Sequence, residues 1–324
     1  MRTLVALGGN AMTSPDGRAR PEDQIAAVAV AVEPVADLIA DGVDVVLTHG
    51  NGPQVGNLLV KNELAAAVVP PVTLDWCGAQ TQGTIGMILM NALERALAAR
   101  GVDRPVAALV TRTLVDAADP AFERPTKPIG RYLPRDEALP LIEHGQNWED
   151  RGERGWRRVV PSPQPRRILD APAVSTLIAA RYVVVAAGGG GVPVVRDRDG
   201  SVRGVEAVID KDLAAALLGR TVGADVLVIA TDVDHAVLDF GTPDAKPIER
   251  VDVPTMRRHA DAGQFESGSM GPKVEAACRF VEQGGQRAVI TSLEQIAAAA
   301  RGGVGTEVVP VSRSEREGGV DRHA

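Results

Sequence analysis

The sequence predicts an α/β protein with a mostly parallel central sheet, helices on both faces of that sheet and one inserted subdomain. Short β-branched runs recur along the 324 residues and alternate with longer segments of helical periodicity. Most of these runs are continuously apolar, which is typical of strands buried on both faces of a parallel sheet. A proline-rich segment, residues 112–165, interrupts the alternation and predicts the insertion.

The predicted elements follow in chain order. The strands are 4–7, 43–48, 106–111, 182–187, 226–230, 288–291 and 307–309. The helices are 25–39, 83–100, 135–144, 213–218 and 272–283. We expect a kink at Pro34 in the first helix, because proline lacks the N–H of the helical hydrogen bond. Crossovers between parallel strands are right-handed, so the helices are expected on both faces of the sheet.

The segment 112–165 contains eight of the 22 prolines and four of the nine aromatic residues. A plain connection of that length is unusual in a compact domain, which favours an inserted lid subdomain. We therefore predict one α/β domain over residues 1–310, with the lid at 112–165 inside it. Residues 311–324 are rich in Arg, Glu, Ser and Gly and predict a flexible tail.

Composition argues against several classes of protein. A net charge of −7 is unlike a nucleic-acid scaffold, which normally has a basic excess, while 45% apolar residues supply a sizeable core. The two cysteines lie far apart and form no ligand pattern, so neither a protein-bound metal nor a disulfide is expected. The apolar run at the N-terminus is too short for a signal peptide, and no run of about 20 apolar residues predicts a membrane span. We expect a soluble, cytoplasmic protein.

Three predicted strands lead directly into glycine-rich turns, at 8–10, 49–53 and 188–191. Glycine allows a close approach to a ligand, and open α/β sheets bind ligands at the carboxyl ends of their strands. Pro53 suits the first turn of a helix whose N–H groups would face an anion. Together the turns favour phosphate binding, although tight packing alone explains any single turn. No P-loop motif is present, and a dinucleotide-binding domain is a weak alternative because its third glycine falls one place late.

Only five of the 35 basic residues are lysines, so a lysine within a motif points to chemistry that requires it. Lys211 lies between Asp210 and Asp212 just before a helix, and Lys273 lies in the first turn of another. Lys211 could neutralise charge on a transferring phosphoryl group. Lys273 is unfavourable near the positive end of its helix, and an anionic ligand there would reverse that effect. Lys127 lies between prolines in the insertion and could reach a phosphate when a lid closes. The alternatives are an ordinary helix start and solvated surface charges.

The other titratable residues give weaker signals. Lys61 and Lys246 belong to no motif and are interpreted as surface residues. Asp232 and Asp234 follow the strand 226–230 and could organise lysines, ribose hydroxyls or hydrated magnesium, or could simply form a turn. The histidines are isolated in the sequence and indicate no catalytic triad.

Taken together, these motifs resemble those of the carbamate kinases in the amino-acid-kinase superfamily. The resemblance spans nearly the whole range 4–309 in family order. The matching stretches are 5–11, 49–58, 125–130, 155–163, 188–193, 204–212 and 268–273. The Pro-Thr-Lys-Pro-Ile-Gly loop and the Gly-Trp-Arg stretch are specific to carbamate kinases within the superfamily.

The resemblance implies a three-layer αβα sandwich with a small protruding subdomain, working as a homodimer. It also implies reversible phosphoryl transfer between ATP and carbamate, giving ADP and carbamoyl phosphate with Mg²⁺. In such enzymes the reaction often runs toward ATP during arginine fermentation. No nucleic acid and no membrane is expected as a partner.

The resemblance also assigns roles to residues. Lys211 and Lys273 match lysines that hold the transferring phosphoryl group, and Asp210 matches the carboxylate that orients them. Lys127 matches a subdomain lysine that reaches the carbamoyl phosphate site. The residues that match the substrate and phosphate cradle are Gly8, Gly9, Asn10, Gly50, Asn51 and Gly52. The residues that match the nucleotide side are Thr231, Asp232, Ser269, Met270 and Lys273.

Three residues or segments depart from the family pattern: His235, Gly271 and the tail after Val311. None of these departures removes a residue that handles the phosphoryl group.

The sequence leaves two other functions open. One is a kinase of the same fold for another small carboxylate or amino acid, such as acetylglutamate. The other is a nucleotide-binding regulator that has lost turnover.

Overall fold

The computed structural model describes residues 1–12, 20–266 and 268–311, with only the backbone described at Asn10 and Ala11. The predicted tail therefore lies outside the described residues, apart from Val311. Within these ranges ten α-helices, seventeen strands and four short 3₁₀ turns are present.

The elements are as follows. The helices are α1 (Pro21–Ala31), α2 (Glu33–Ala40), α3 (Gly52–Ala65), α4 (Leu74–Ala99), α5 (Arg135–Glu143), α6 (Ala171–Ala179), α7 (Lys211–Thr221), α8 (Val253–Asp261), α9 (Met270–Glu282) and α10 (Ile296–Arg301). The strands are β1 (Arg2–Leu7), β2 (Asp44–His49), β3 (Val106–Ala108), β4 (Arg112–Leu114), β5 (Lys127–Leu133), β6 (Trp148–Asp150), β7 (Trp156–Val160), β8 (Arg167–Ile168), β9 (Val183–Val185), β10 (Val192–Arg196), β11 (Val202–Gly204), β12 (Val226–Thr231), β13 (Val237–Leu238), β14 (Lys246–Pro247), β15 (Arg250–Asp252), β16 (Arg287–Ser292) and β17 (Thr306–Val309). The 3₁₀ turns are Gly9–Met12, Pro120–Phe122, Gly152–Arg154 and Gly188–Gly190.

The central sheet has eight strands in the order β15-β17-β16-β12-β1-β2-β9-β3. All seven predicted strands lie in it, and β15 is the one that the sequence did not predict. Six neighbouring strands, from β16 to β3, run parallel, whereas β17 pairs antiparallel with β16 and parallel with β15. The prediction of a mostly parallel sheet is confirmed.

Alternate residues of the central strands point to opposite faces, and each face has its own aliphatic core. In β1, Leu4 and Ala6 pack into a core with residues of α6, α7, α8 and α9. Val5 and Leu7 pack into a second core with residues of α1, α2, α4 and α10. All four side chains are fully buried, and each large one stabilises the fold by about 1.5–3 kcal/mol. Two helical layers therefore enclose the sheet, as the three-layer prediction required.

Two helices differ from their predicted bounds. The predicted helix 25–39 is divided at Val32 into α1 and α2, because Pro34 lies in the first turn of the second helix, where a residue needs no N–H for a helical hydrogen bond. Helix α4 begins at Leu74, nine residues earlier than predicted. Its first N–H, that of Leu74, donates to the Glu206 carboxylate at 3.0 Å, a contact distant in sequence that offsets the weak helix propensity of the glycines at its start.

The proline-rich segment contributes to two smaller sheets. Strand β4 pairs parallel with β10 in a four-stranded sheet, β11-β10-β4-β8. Residues 127–160 form a separate antiparallel sheet, β5-β7-β6, together with α5. The inserted lid subdomain over 112–165 stays a prediction.

Within the described ranges, every helix is either too short or too polar to cross a membrane.

Candidate active site

Three neighbouring strands of the sheet end in contact with one another. The Gly50 N–H donates to the carbonyl of Leu7 at 3.0 Å, which joins the turn after β2 to the end of β1. A Cβ atom on Gly50 would lie 3.0 Å from the nitrogen of Gly9, and one on Gly8 would lie 3.0 Å from the carbonyl oxygen of Ala230 in β12. Glycine is therefore needed for close approach, and a cleft of about 860 Å³ opens above these turns.

Most of the predicted site residues line this one cleft. They are Gly8, Gly9, Gly50, Asn51, Gly52, Lys127, Asp210, Lys211, Thr231, Asp232, Ser269 and Lys273. Met270 does not line it, because its side chain packs against the core beside α9. The side chain of Asn10 lies outside the described residues, although its backbone follows Gly9 into a 3₁₀ turn.

The carboxylate of Asp212 holds two lysines at the base of the cleft. Its Oδ1 accepts from Lys211 Nζ at 2.5 Å, and its Oδ2 accepts from Lys273 Nζ at 3.1 Å. The side chain of Asp212 is only 4% exposed and those of both lysines 14%. One buried carboxylate thus sets the separation of two ammonium groups that come from different helices.

The charges of both lysines act on the buried carboxylate between them. Burial acts to raise the pKa of Asp212, but the charges and hydrogen bonds of Lys211 and Lys273 outweigh burial and lower that pKa to about 2. Burial lowers the pKa of Lys211, assisted by the charge of Lys273 and opposed by Asp212. The cluster has one carboxylate for two ammonium groups, so an anionic ligand between the lysines would supply the missing negative charge.

Asp210 has a different role from the one that the resemblance implied. Its Oδ1 accepts from the N–H groups of Asp212 and Leu213 at 2.9 and 3.3 Å, which caps the start of α7. Its Oδ2 accepts from Lys127 Nζ at 2.8 Å. The prediction that Asp210 orients Lys211 and Lys273 is therefore wrong in its geometry. Asp212 makes those two contacts, and Asp210 fixes the third lysine.

Lys127 reaches the cleft because β5 packs closely on α3. A Cβ atom on Gly56 of α3 would lie 3.3 Å from the Cα of Gly130 in β5. Gly130 has a φ of +67° at an irregularity in the pairing of β5 with β7, a conformation that favours glycine. Since α3 also begins at the turn after β2, one helix positions both that turn and the strand that carries Lys127.

The four-glycine turn at 188–191 mainly packs behind residues of the cleft and contributes little to the cleft wall itself. Gly189 alone of the four reaches the cleft. A Cβ atom on Gly188 would lie 2.2 Å from Nε2 of His49, and one on Gly189 would lie 2.1 Å from Nδ2 of Asn51. Close packing, the alternative explanation from the sequence, therefore accounts for most of this turn. The turns at Gly8 and Gly50 are the ones that line the cleft with successive residues.

Replacing Gly189 by alanine is expected to lower both stability and activity. The residue has a φ of +62°, which costs an L-residue about 1–2 kcal/mol, and the added methyl group would also displace Asn51 from the cleft wall. Gly83→Ala in α4 is the matched control, since no atom lies within 4 Å of its Cβ position and alanine favours a helix by about 0.5–1 kcal/mol. Denaturant unfolding and turnover measure the difference, and equal unfolding free energies in the two variants would contradict the packing argument.

Arg157 is a cleft residue to which the sequence gave no role. Its guanidinium lies 4.9 Å from the ring centroid of Tyr132, and one of its nitrogens donates to the Tyr132 hydroxyl at 3.3 Å. It lines the cleft from β7, beside the strand that carries Lys127. The stretch 155–158, Gly-Trp-Arg-Arg, was recognisable in the sequence. A linear motif does not show, however, which of these two arginines faces the cleft.

In the part of the chain that the structure describes, the cleft offers no ready-made metal site. Among the described residues no three His, Cys, Asp or Glu side chains are placed to hold a metal ion together. Asp210 and Asp212 are held by lysines, and Asp232 accepts a hydrogen bond from the Thr231 hydroxyl at 3.0 Å. These residues fit a Mg²⁺ ion that arrives bound to nucleotide phosphates, because such an ion needs few protein ligands.

A cleft with three lysines and two glycine turns at the ends of parallel strands is the site of an enzyme that handles phosphate. The sequence profile described as the Amino acid kinase family matches residues 1–292. The chain belongs to that family, and it is accordingly a phosphotransferase.

Within the family the chain groups with the carbamate kinases, as the motifs predicted. The carbamate kinase of Thermococcus kodakarensis is 46% identical over 314 residues, covering 95% of this chain and 99% of that protein. The "Carbamate kinase-like protein YahI" of Escherichia coli is 44% identical, covering 94% and 98%. The structure of carbamate kinase from Giardia lamblia bound to AMP-PNP has a TM-score of 0.89 at 38% identity, covering 95% and 98%.

Proposed function

We propose that the protein transfers a phosphoryl group reversibly between ATP and carbamate, giving ADP and carbamoyl phosphate. The observation that carries the proposal is the convergence of Lys127, Lys211 and Lys273 on a single cleft beside the turns at Gly8 and Gly50. The full-length similarity to carbamate kinases supports carbamate as the acceptor.

The chemistry needs positioning and charge neutralisation more than acid–base catalysis. Carbamate is already an anionic nucleophile, so in-line attack on phosphorus needs no strong general base and no covalent enzyme intermediate. The reacting oxygen must approach phosphorus to about 3–3.5 Å. Lys211 and Lys273 neutralise the charge that grows on the phosphoryl and bridging oxygens.

The turn after β2 supplies the other contacts to the phosphoryl group. In the described chain the N–H groups of Asn51 and Gly52 donate to no protein acceptor, and both residues line the cleft at the start of α3. Amides at a helix N-terminus favour anions. Elsewhere along the cleft, Thr231, Asp232 and Ser269 are the residues that we assign to the nucleotide. Mg²⁺ would enter with the nucleotide and supply charge neutralisation on its phosphates.

A substrate panel tests the acceptor. We expect ADP formation from ATP with carbamate, and none above background with acetylglutamate, acetate or aspartate. ADP formation with one of those acids in place of carbamate would support the other kinase. Binding of ATP without turnover on any acceptor would support a regulator. A parallel assay of the enzyme with Lys273→Met, which removes one ammonium group from the cleft, reports contaminating kinase activity.

Three features of the proposal come from the family resemblance alone: a homodimer, ATP synthesis as the working direction, and a role in arginine catabolism. A cytoplasmic location is also proposed, as the composition of the sequence led us to expect. Light scattering on the purified protein tests the homodimer, with twice the chain mass of 33.9 kDa as the expected result. A monomer at micromolar concentration would contradict it.

A further inference from the structure

His49 lies directly beneath the cleft, at the last position of β2, and is 1% exposed. Its Nδ1 lies 2.8 Å from the carbonyl oxygen of Gly50. A carbonyl oxygen only accepts, so Nδ1 carries a proton and donates it to this bond. Burial lowers the pKa of His49 to about 4, with the bond to Gly50 opposing and the charge of Lys211 assisting. The ring is therefore uncharged at neutral pH.

Gly50 is held through both of its backbone groups, one by His49 and the other by β1. The Gly50 N–H donates to Leu7, while its carbonyl accepts from His49. The position of Gly50 in turn limits the stem of Lys211, because a Cβ atom on Gly50 would lie only 3.3 Å from the Cδ of that lysine. A shift of Gly50 would therefore move both the turn that faces the phosphoryl group and the lysine beside it.

The imidazole ring is itself held from behind. A Cβ atom on Gly188 would lie 2.2 Å from Nε2 of His49, so the ring rests against the backbone of the four-glycine turn. That turn is tied to the sheet by the hydroxyl of Thr48, which donates to the carbonyl of Ala187 at 2.9 Å. The ring thus lies between a rigid support and the Gly50 turn, with one donor aimed at one acceptor.

We propose that His49 is a positioning residue for phosphoryl transfer, whose Nδ1–H holds the Gly50 carbonyl and thereby sets the Gly50–Gly52 turn against Lys211. The inference rests on the proposed function and deepens it. His49 touches no substrate, and its effect is expected in the affinity for carbamoyl phosphate, which the turn contacts. The affinity for ADP should change little, because the nucleotide side is built from β12 and the start of α9.

Two substitutions of similar polarity separate positioning from simple core packing. In His49→Asn the amide nitrogen stands two bonds from Cβ, as Nδ1 does, and can donate to Gly50. In His49→Gln the amide lies one carbon farther out and faces Gly188 instead. We expect His49→Gln to raise KM for carbamoyl phosphate by about tenfold or more, the effect of losing one buried hydrogen bond. We expect KM for ADP to stay within about twofold, and His49→Asn to recover most of the loss.

Each outcome of this experiment decides the matter. Equal KM values for carbamoyl phosphate in the Asn and Gln variants would overturn the positioning role, as would a Gln variant that behaves like the wild type. A parallel rise in KM for ADP would indicate general damage to the fold and would also overturn it. If His49→Gln does not fold, His49→Ala takes its place with the same expectation. Wild-type protein that forms no ATP from carbamoyl phosphate overturns the proposed function, and this result is distinct from any difference between variants.

Discussion

Replacing Lys211 by arginine is expected to remove most of the turnover, by about 100-fold or more, although the positive charge is kept. The ammonium group bonds to Asp212, and the stem passes 3.3 Å from the Cβ position of Gly50. A guanidinium is planar and longer, and it presents a fork of donors where the cleft has space for one compact donor. Arginine would therefore either displace the Gly50 turn or withdraw from Asp212.

Lys246→Arg is the matched control for this prediction, because Lys246 is exposed and far from the cleft in β14. It makes the same chemical change, and we expect wild-type kcat. Steady-state ATP formation with saturating ADP and carbamoyl phosphate measures both variants. A kcat near the wild-type value in Lys211→Arg would show that charge alone suffices, and it would remove the geometric role assigned to this lysine.

Asp212→Asn is expected to have the second large effect, on both rate and stability. The substitution keeps the shape but leaves two ammonium groups, each 14% exposed, facing each other without a carboxylate. We expect kcat to fall by about 100-fold or more. We expect the free energy of unfolding to fall by about 2 kcal/mol, less than the roughly 3–5 kcal/mol of a fully buried pair, because both lysines reach the cleft solvent.

Asp210→Asn is the companion variant that separates the two carboxylates. Asparagine caps a helix about as well as aspartate, so α7 should keep its start and the stability should change little. The loss should fall on the bond to Lys127, which appears as a raised KM for carbamoyl phosphate with a smaller change in kcat. The opposite ranking, with Asp210→Asn lower in kcat than Asp212→Asn, would restore the role that the resemblance gave to Asp210.

The sheet was predictable from the sequence because buried parallel strands are continuously apolar. Strand β12 reads Val-Leu-Val-Ile-Ala-Thr, and five of its six residues are buried. Strand β15 was missed because Arg250, Val251 and Asp252 are exposed or half-buried at the edge of the sheet, where no apolar run is needed. Local helix propensity also did not predict the start of α4, where the first N–H bonds to a carboxylate more than 130 residues away in sequence.

The candidate site was predictable in composition but not in pairing. Asp210 and Asp212 flank Lys211 equally in the sequence, so spacing alone does not show which one holds the lysines. The backbone decides: Asp210 is extended at φ −67° and ψ 122° and caps α7, whereas Asp212 lies inside the first turn and faces the α9 lysine. Met270 also could not be placed from the sequence. Ser269 lines the cleft, but the next residue along the helix start, Met270, points its side chain into the core.

The central claim is direct transfer of a phosphoryl group between carbamoyl phosphate and ADP in this cleft. Phosphorus NMR of the wild-type protein with carbamoyl phosphate, ADP and Mg²⁺ tests it most directly, because it separates ATP from inorganic phosphate in one spectrum. We predict that ATP appears in equal amount to the carbamoyl phosphate consumed beyond its spontaneous hydrolysis, and that Lys211→Arg greatly slows this conversion. Release of inorganic phosphate alone, at the rate seen without enzyme, would contradict the account.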